Sequence, residues 1–147
     1  MLVRDYMTQD VVTMRPLDSA RAARAVFTRL RIQQVPILAR GKLVGIVTDR
    51  DLRDAFPAAT VSHLGRELDN FTDAITLESI MTNNMLTVSP TAPIVEAADI
   101  LRSNRIGALP VVEQGKLVGI LTRSDLLGAL VDLLRGEGRR RAVRTGS

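Results

Sequence analysis

At 147 residues, with 46% apolar and 24% charged residues, the chain can bury a real core and has the composition of a globular protein. It has no cysteine, which excludes disulfides, zinc–thiolate sites and thiol catalysis, and its one histidine, His63, has no partner for a His-rich metal site. The net charge of +4 belongs to the stretch from Arg135 onward, where five arginines face Glu137, so it describes a tail and not a basic binding face.

The opening MLVRDYMTQD lacks the apolar run of a secretory leader, and no stretch approaches the length of a membrane span. A cytoplasmic protein with no membrane partner is therefore expected. Val11 to Thr13 predicts a short strand that Pro16 ends. Asp18 is placed to cap a helix carrying Ala22, Val26, Phe27 and Leu30 at helical spacing. Val35 to Leu38 and Leu43 to Val47 read as strands, and Arg40-Gly41 between them calls for a tight hairpin. A helix follows from about Asp49 to Phe56, where Pro57 stops it. The polar stretch from Pro57 to Thr76 reads as a connection, with His63 a solvated residue in it.

The plan then repeats. Leu86 to Val88 predicts a strand, and Ile94, Ala97, Ala98 and Leu101 mark a helix. Leu109 to Val112 and Leu117 to Leu121 predict a second hairpin. The last helix runs from near Arg123 to about Leu134 and carries Leu126, Leu127, Leu130, Val131, Leu133 and Leu134. That is more apolar surface than a short exposed helix needs, so it is expected to pack on the other repeat or on a second subunit. The terminal GEGRRRAVRTGS loses apolar periodicity and reads as disordered.

The halves match letter for letter in places. Gly41-Lys42-Leu43-Val44-Gly45-Ile46 recurs as Gly115-Lys116-Leu117-Val118-Gly119-Ile120. Thr48, Asp51 and Leu52 recur as Thr122, Asp125 and Leu126. Met7-Thr8, Pro16 and Pro36 match Met81-Thr82, Pro90 and Pro110 at the same interval. A tandem duplication of this kind implies two related sites in preference to one catalytic centre. The organisation is a first repeat at 1–60, a linker at 61–76, a second repeat at 77–134 and an Arg-rich tail at 135–147. The fold class is α/β (α+β): two βαββα units related by a pseudo-twofold axis. Val35, Ile37, Val44, Ile46, Leu109, Val111, Val118 and Ile120 are expected to be buried.

These motifs together resemble the cystathionine β-synthase (CBS) domain pair, and the layout is similar to stand-alone bacterial pairs of the acetoin-utilisation type. The resemblance rests on the Met-Thr openings, on Val35-Pro36-Ile37 and Leu109-Pro110-Val111, and on Gly45-Ile46-Val47-Thr48-Asp49-Arg50-Asp51 with its copy Gly119-Ile120-Leu121-Thr122-Arg123-Ser124-Asp125. It covers about residues 1–134. It implies a regulatory module that binds an adenosine-containing ligand, with AMP, ADP, ATP and S-adenosylmethionine as candidates, and uses no other cofactor. Asp51 and Asp125 would accept the ribose hydroxyls, and Thr48 and Thr122 would face ribose or phosphate. Backbone around Val12-Thr13, Leu86-Thr87, Val35-Pro36 and Leu109-Pro110 would line an adenine slot. Arg50 and Arg123 would reach a phosphate. A homodimer and an unidentified regulated protein are the implied partners.

The residues themselves leave a second reading open. Thr-x-x-Asp at a helix start is also a capping box, which would account for both copies without a ligand. The copies also differ: Gln33-Gln34 stands where the second repeat has Gly107-Ala108, and Asp49 stands where it has Arg123. Small residues leave room for a flat base, and an arginine suits a phosphate, so the second site is expected to bind more tightly. Among rival functions, catalysis has no nucleophile elbow, phosphate-binding glycine loop or paired metal motif to support it. Nucleic-acid binding would rest on the Arg-rich tail, and a ligand-free dimerisation module is the third alternative.

Overall fold

Branched apolar runs joined by a two-residue turn form the centre of each repeat in the computed structural model, which describes residues 1–55 and 73–136. The expectations for Phe56, Pro57, His63 and the tail past Gly136 lie outside the described residues. β1 (Gln34–Ala39) pairs antiparallel with β2 (Lys42–Thr48), and β3 (Ala108–Glu113) pairs antiparallel with β4 (Lys116–Thr122). The turn residues Arg40 and Gly41 have φ of 52° and 78°, and Gln114 and Gly115 have φ of 51° and 78°. Two left-handed residues in a row make a type I′ turn, whose twist matches that of the strands it joins.

Helices flank each hairpin. α1 (Ala20–Leu30) precedes β1 and α2 (Asp49–Ala55) follows β2; α3 (Leu77–Ile80) is a single turn that opens the second repeat. α4 (Ile94–Asn104) precedes β3, and α5 (Arg123–Arg135) follows β4. The cap of α1 is Ser19 and not Asp18: the Ser19 hydroxyl accepts the Ala22 N–H at 3.0 Å. Asp18 turns back instead and accepts the Arg15 N–H at 2.8 Å. Either short polar side chain can cap, and the one adjacent to the first helical residue does so.

The strands expected at Val11–Thr13 and Leu86–Val88 shrink to single parallel bridges, Met14 with Ile37 and Val88 with Val111. The Met14 N–H donates to the Pro36 carbonyl at 3.1 Å, and the Leu38 N–H donates to the Met14 carbonyl at 2.9 Å. The next rung would need the N–H of Pro36, which proline lacks. Pro110 ends the second ladder in the same way.

Contacts divide the chain into two units, Val12–Met85 and a second made of Met1–Val11 with Leu86–Ser147. The opening segment of each repeat thus belongs with the hairpin of the other. In the second-repeat unit, Thr8 and Ile120 exchange backbone hydrogen bonds of 2.8 and 2.9 Å. In the first-repeat unit, Thr82 and Ile46 do the same at 2.9 and 3.1 Å. The exchange extends to the helix starts, where the Ala20 N–H donates to the Ile75 carbonyl at 2.8 Å and the Ile94 N–H to the Met1 carbonyl at 2.9 Å.

Each unit has its own core. Phe27, Val35, Ile37, Val47, Leu52 and Leu77 cluster in the first-repeat unit. Val3, Tyr6, Leu101, Leu109, Val111 and Leu121 cluster in the second-repeat unit. Six of the eight residues expected to be buried are so, but Val44 and Val118 are only half-buried. Pairing passes from Ile37–Gly45 to Leu38–Leu43, and from Val111–Gly119 to Val112–Leu117, so each valine is the extra residue of a β-bulge. Val47 and Leu121 take the deep positions instead, at 0% exposure.

The exchanged segments explain the central glycines. A Cβ at Gly119 would lie 2.7 Å from Met7 Sδ and 2.9 Å from the Thr8 carbonyl oxygen. At Gly45 it would lie 2.5 Å from Met81 Sδ and 3.2 Å from the Thr82 carbonyl oxygen. A thioether can move aside, but a hydrogen-bonded backbone oxygen cannot do so without opening the bridge. Gly119→Ala should destabilise by about 1–3 kcal/mol, and Gly45→Ala by less. Urea unfolding of the two variants checks both the loss and its order.

Candidate functional site

Each helix after a hairpin starts on a threonine and carries an aspartate at its third position. The Thr48 N–H donates to Asp51 Oδ2 at 2.9 Å while the Asp51 N–H donates to Thr48 Oγ1 at 3.2 Å. Thr122 and Asp125 repeat this at 2.9 and 3.3 Å. Both copies are therefore complete capping boxes, satisfying donors that the first helical turn leaves without intrahelical partners. In each box the aspartate uses only Oδ2, and its Oδ1 has no hydrogen bond among the described residues. A carboxylate oxygen of this kind can still accept a hydroxyl.

The other expected residues fall on the same unit as their Thr-x-x-Asp. Val12, Thr13, Val35, Pro36, Thr48, Arg50 and Asp51 lie in the first-repeat unit. Leu86, Thr87, Gly107, Ala108, Leu109, Pro110, Thr122, Arg123 and Asp125 lie in the second-repeat unit. Strand register brings the parts together. β3 has Thr122 across from Ala108 on one side and Val88 bridged to Val111 on its other. β1 stands in the same way between Thr48, which pairs with Gln34, and Met14.

Burial sorts how these residues can act. Val35, Pro36, Leu109 and Pro110 are fully buried, so their side chains belong to the core. Val12 and Leu86, by contrast, leave 39% and 44% of their surface exposed, at the same position in each repeat. Since the ladder ends at the prolines, the backbone of Val12, Thr13, Leu86 and Thr87 makes no hydrogen bond among the described residues. Exposed apolar side chains beside free backbone groups suit the face and edge of a flat heterocycle.

The helix starts are further tied to the residue ahead of the strand. The Asp49 N–H donates to the Gln33 carbonyl at 2.7 Å, and the Arg123 N–H to the Gly107 carbonyl at 3.2 Å. Arg123 also lies over Gly107, its Nε 4.0 Å from where a Cβ would be. In the sequence, Met7 and Met81 stand out only as part of the repeated Met-Thr openings on which the family resemblance partly rests. Their place over Gly119 and Gly45 depends on the segment exchange, and the repeat of a Met-Thr pair with a mid-strand glycine was the only sign of it.

The CBS domain model matches the chain twice, at residues 3–58 and 77–132. The chain belongs to the CBS domain family. Each CBS repeat contributes one hairpin with its flanking helices, in a mixed helix and strand architecture with two small antiparallel sheets. Solved CBS proteins have the same fold. A Vibrio cholerae protein named for acetoin utilization is 31% identical, with 92% of this chain and 93% of that one covered at a TM-score of 0.77. An Arabidopsis thaliana CBS-pair protein, solved in complex with AMP, is 27% identical, with 90% and 97% covered at 0.75. Another CBS domain pair, solved with 5′-methylthioadenosine and S-adenosyl-L-methionine, is 27% identical, with 89% and 96% covered at 0.72.

The capping boxes bear on stability before any ligand arrives. Thr122→Ala removes the acceptor for the Asp125 N–H at the start of α5 and should cost the ligand-free protein about 1 kcal/mol. Denaturant unfolding without nucleotide measures it, and Thr48→Ala should lose a comparable amount.

Proposed function

We propose that this CBS pair is a regulatory sensor that binds an adenosine-containing ligand in each repeat and has no catalytic step of its own. The observation that carries the reading is the twice-built arrangement of an aspartate with one open oxygen near free backbone and an exposed aliphatic side chain. Proteins of like structure that hold AMP, or 5′-methylthioadenosine and S-adenosyl-L-methionine, support adenosine as the shared ligand part. In this reading Asp51 and Asp125 take the ribose hydroxyls, Thr48 and Thr122 face the ribose or its substituent, and Arg50 and Arg123 meet a phosphate. The backbone of Val12–Thr13 and Val35–Pro36, or of Leu86–Thr87 and Leu109–Pro110, takes the adenine. Gly107 and Ala108 give the base its closest approach. No helix among the described residues is long and apolar enough to cross a membrane, and the reading keeps the module in the cytoplasm.

A thermal-shift screen of adenosyl and guanosyl compounds tests it. At free ligand near 100 times Kd, one-site binding adds about 2.7 kcal/mol, or about 5–10 °C for a chain of this size. The ligand-induced shift should shrink in Asp51→Ala and Asp125→Ala. The increment is the readout, since losing a capping carboxylate also lowers the ligand-free melting point. A melting point that no purine compound moves would remove the reading.

We also propose that the module is a homodimer held through α5. Leu127, Leu130, Val131, Leu133 and Leu134 stay exposed along this helix, with Leu127 at 61% and Leu134 at 78%. An apolar face of that extent, repeated on an identical chain, is self-complementary in a twofold dimer. Light scattering at micromolar concentration should give twice the chain mass, and Leu130→Glu combined with Leu134→Glu should return it to the monomer.

A further inference from the structure

The two repeats keep the same threonine and aspartate but differ at the first residue of the helix that follows the threonine. In the second-repeat unit, Arg123 follows Thr122 and its Nε lies 4.0 Å from the Cβ position of Gly107, so a cation covers a residue with no side chain. In the first-repeat unit, Asp49 follows Thr48, and its backbone N–H is bound at 2.7 Å to the carbonyl of Gln33, the counterpart of Gly107. The Asp49 carboxylate is held from one helical turn further on by Arg53, at 3.6 Å. Asp49 is the residue next to Thr48, so the acid and not the guanidinium stands at the helix start. Arg50 comes one residue later, turned about 100° around the helix from Asp49, where the second repeat has Ser124.

We infer that the two sites divide adenosyl ligands by charge: the second-repeat site takes one with a 5′-phosphate, such as AMP, and the first-repeat site one with an uncharged or cationic 5′ group, such as 5′-methylthioadenosine or S-adenosylmethionine. The inference rests on the adenosine-sensor reading and narrows it, taking the phosphate contact from Arg50 and leaving it to Arg123. Asp51 and Asp125 make the same bonds at 2.9 Å in both repeats, so recognition of the ribose is common to the two sites. What changes is the charge beside the substituent. A guanidinium makes short, charge-assisted bonds to a phosphate. A carboxylate at the same place repels it but tolerates a thioether and attracts a sulfonium. Gln33 adds bulk and neutral hydrogen-bonding groups where Gly107 adds none. The chain would then report two adenosyl pools that differ in charge, one at each end of its duplication.

Calorimetry on the full chain with AMP and 5′-methylthioadenosine tests this. AMP should fill one site per chain tightly, and 5′-methylthioadenosine titrated into AMP-saturated protein should still fill one site. Arg123→Gln should lower the ratio of AMP to 5′-methylthioadenosine affinity by about tenfold or more, the equivalent of losing one charge-assisted bond. Asp49→Arg should create a second tight AMP site. Both residues are exposed, so neither change should disturb folding. AMP filling two equal sites and shutting out 5′-methylthioadenosine, or an affinity ratio unmoved by Arg123→Gln, overturns the division but leaves adenosine sensing intact. Binding of neither compound to the unaltered chain overturns both.

Discussion

A two-stranded hairpin leaves both edges open and is marginal by itself in water. In each CBS repeat those edges are closed by one residue apiece. The inner strand takes a single parallel bridge from Met14 or Val88, and the outer strand takes paired hydrogen bonds from Thr82 or Thr8. The second closure is possible only because Gly45 and Gly119 have no Cβ, since the Met81 and Met7 side chains and the following carbonyls occupy that volume. Everything around the site is hung from these short ladders: the bridge sets where Val12–Thr13 and Leu86–Thr87 run, and the strand end sets where the capping box begins.

In the proposed ribose site one carboxylate would serve both the capping box and the ligand without conflict. Oδ2 completes the helix start, and Oδ1 has no hydrogen bond among the described residues. Because the cap already fixes the aspartate rotamer, a ligand would meet an ordered acceptor and lose little entropy in engaging it. The prolines serve a related role. By lacking an N–H they stop the parallel ladder early, and the neighbouring backbone keeps its own donors and acceptors for another partner.

The duplication is kept to the letter at length only in the block Gly41–Ile46 and its copy Gly115–Ile120. The hairpin block is identical in both copies because its residues fill the core, the turn and the bulge, where volume and φ leave little latitude. The exposed residues have no such restraint. Gln33 corresponds to Gly107, Asp49 corresponds to Arg123, and the polar α2 corresponds to an α5 that shows a leucine-rich face to solvent. Binding preference and association therefore have room to differ between the two ends while the folds stay alike.

Much of this was legible from the residues alone. Repetition located both hairpins, their turns and the helices beside them, and the Thr-x-x-Asp spacing located both capping boxes, since all of these are local in the chain. Three features were not. The strand at Val11–Thr13 dwindled to one bridge because of a missing N–H on a different strand, at Pro36. Val44 and Val118 lost their deep positions to bulges that only the pairing register defines. The sequence repeats also do not coincide with the contact units, because Met1–Val11 binds the second hairpin and Met81–Thr82 the first. A repeat pattern records which segments are alike, whereas hydrogen bonding between identical strand edges is satisfied equally by either copy of the opening segment. Which copy pairs with which hairpin is a choice among near-equivalent backbone partners, and only the tertiary structure makes it.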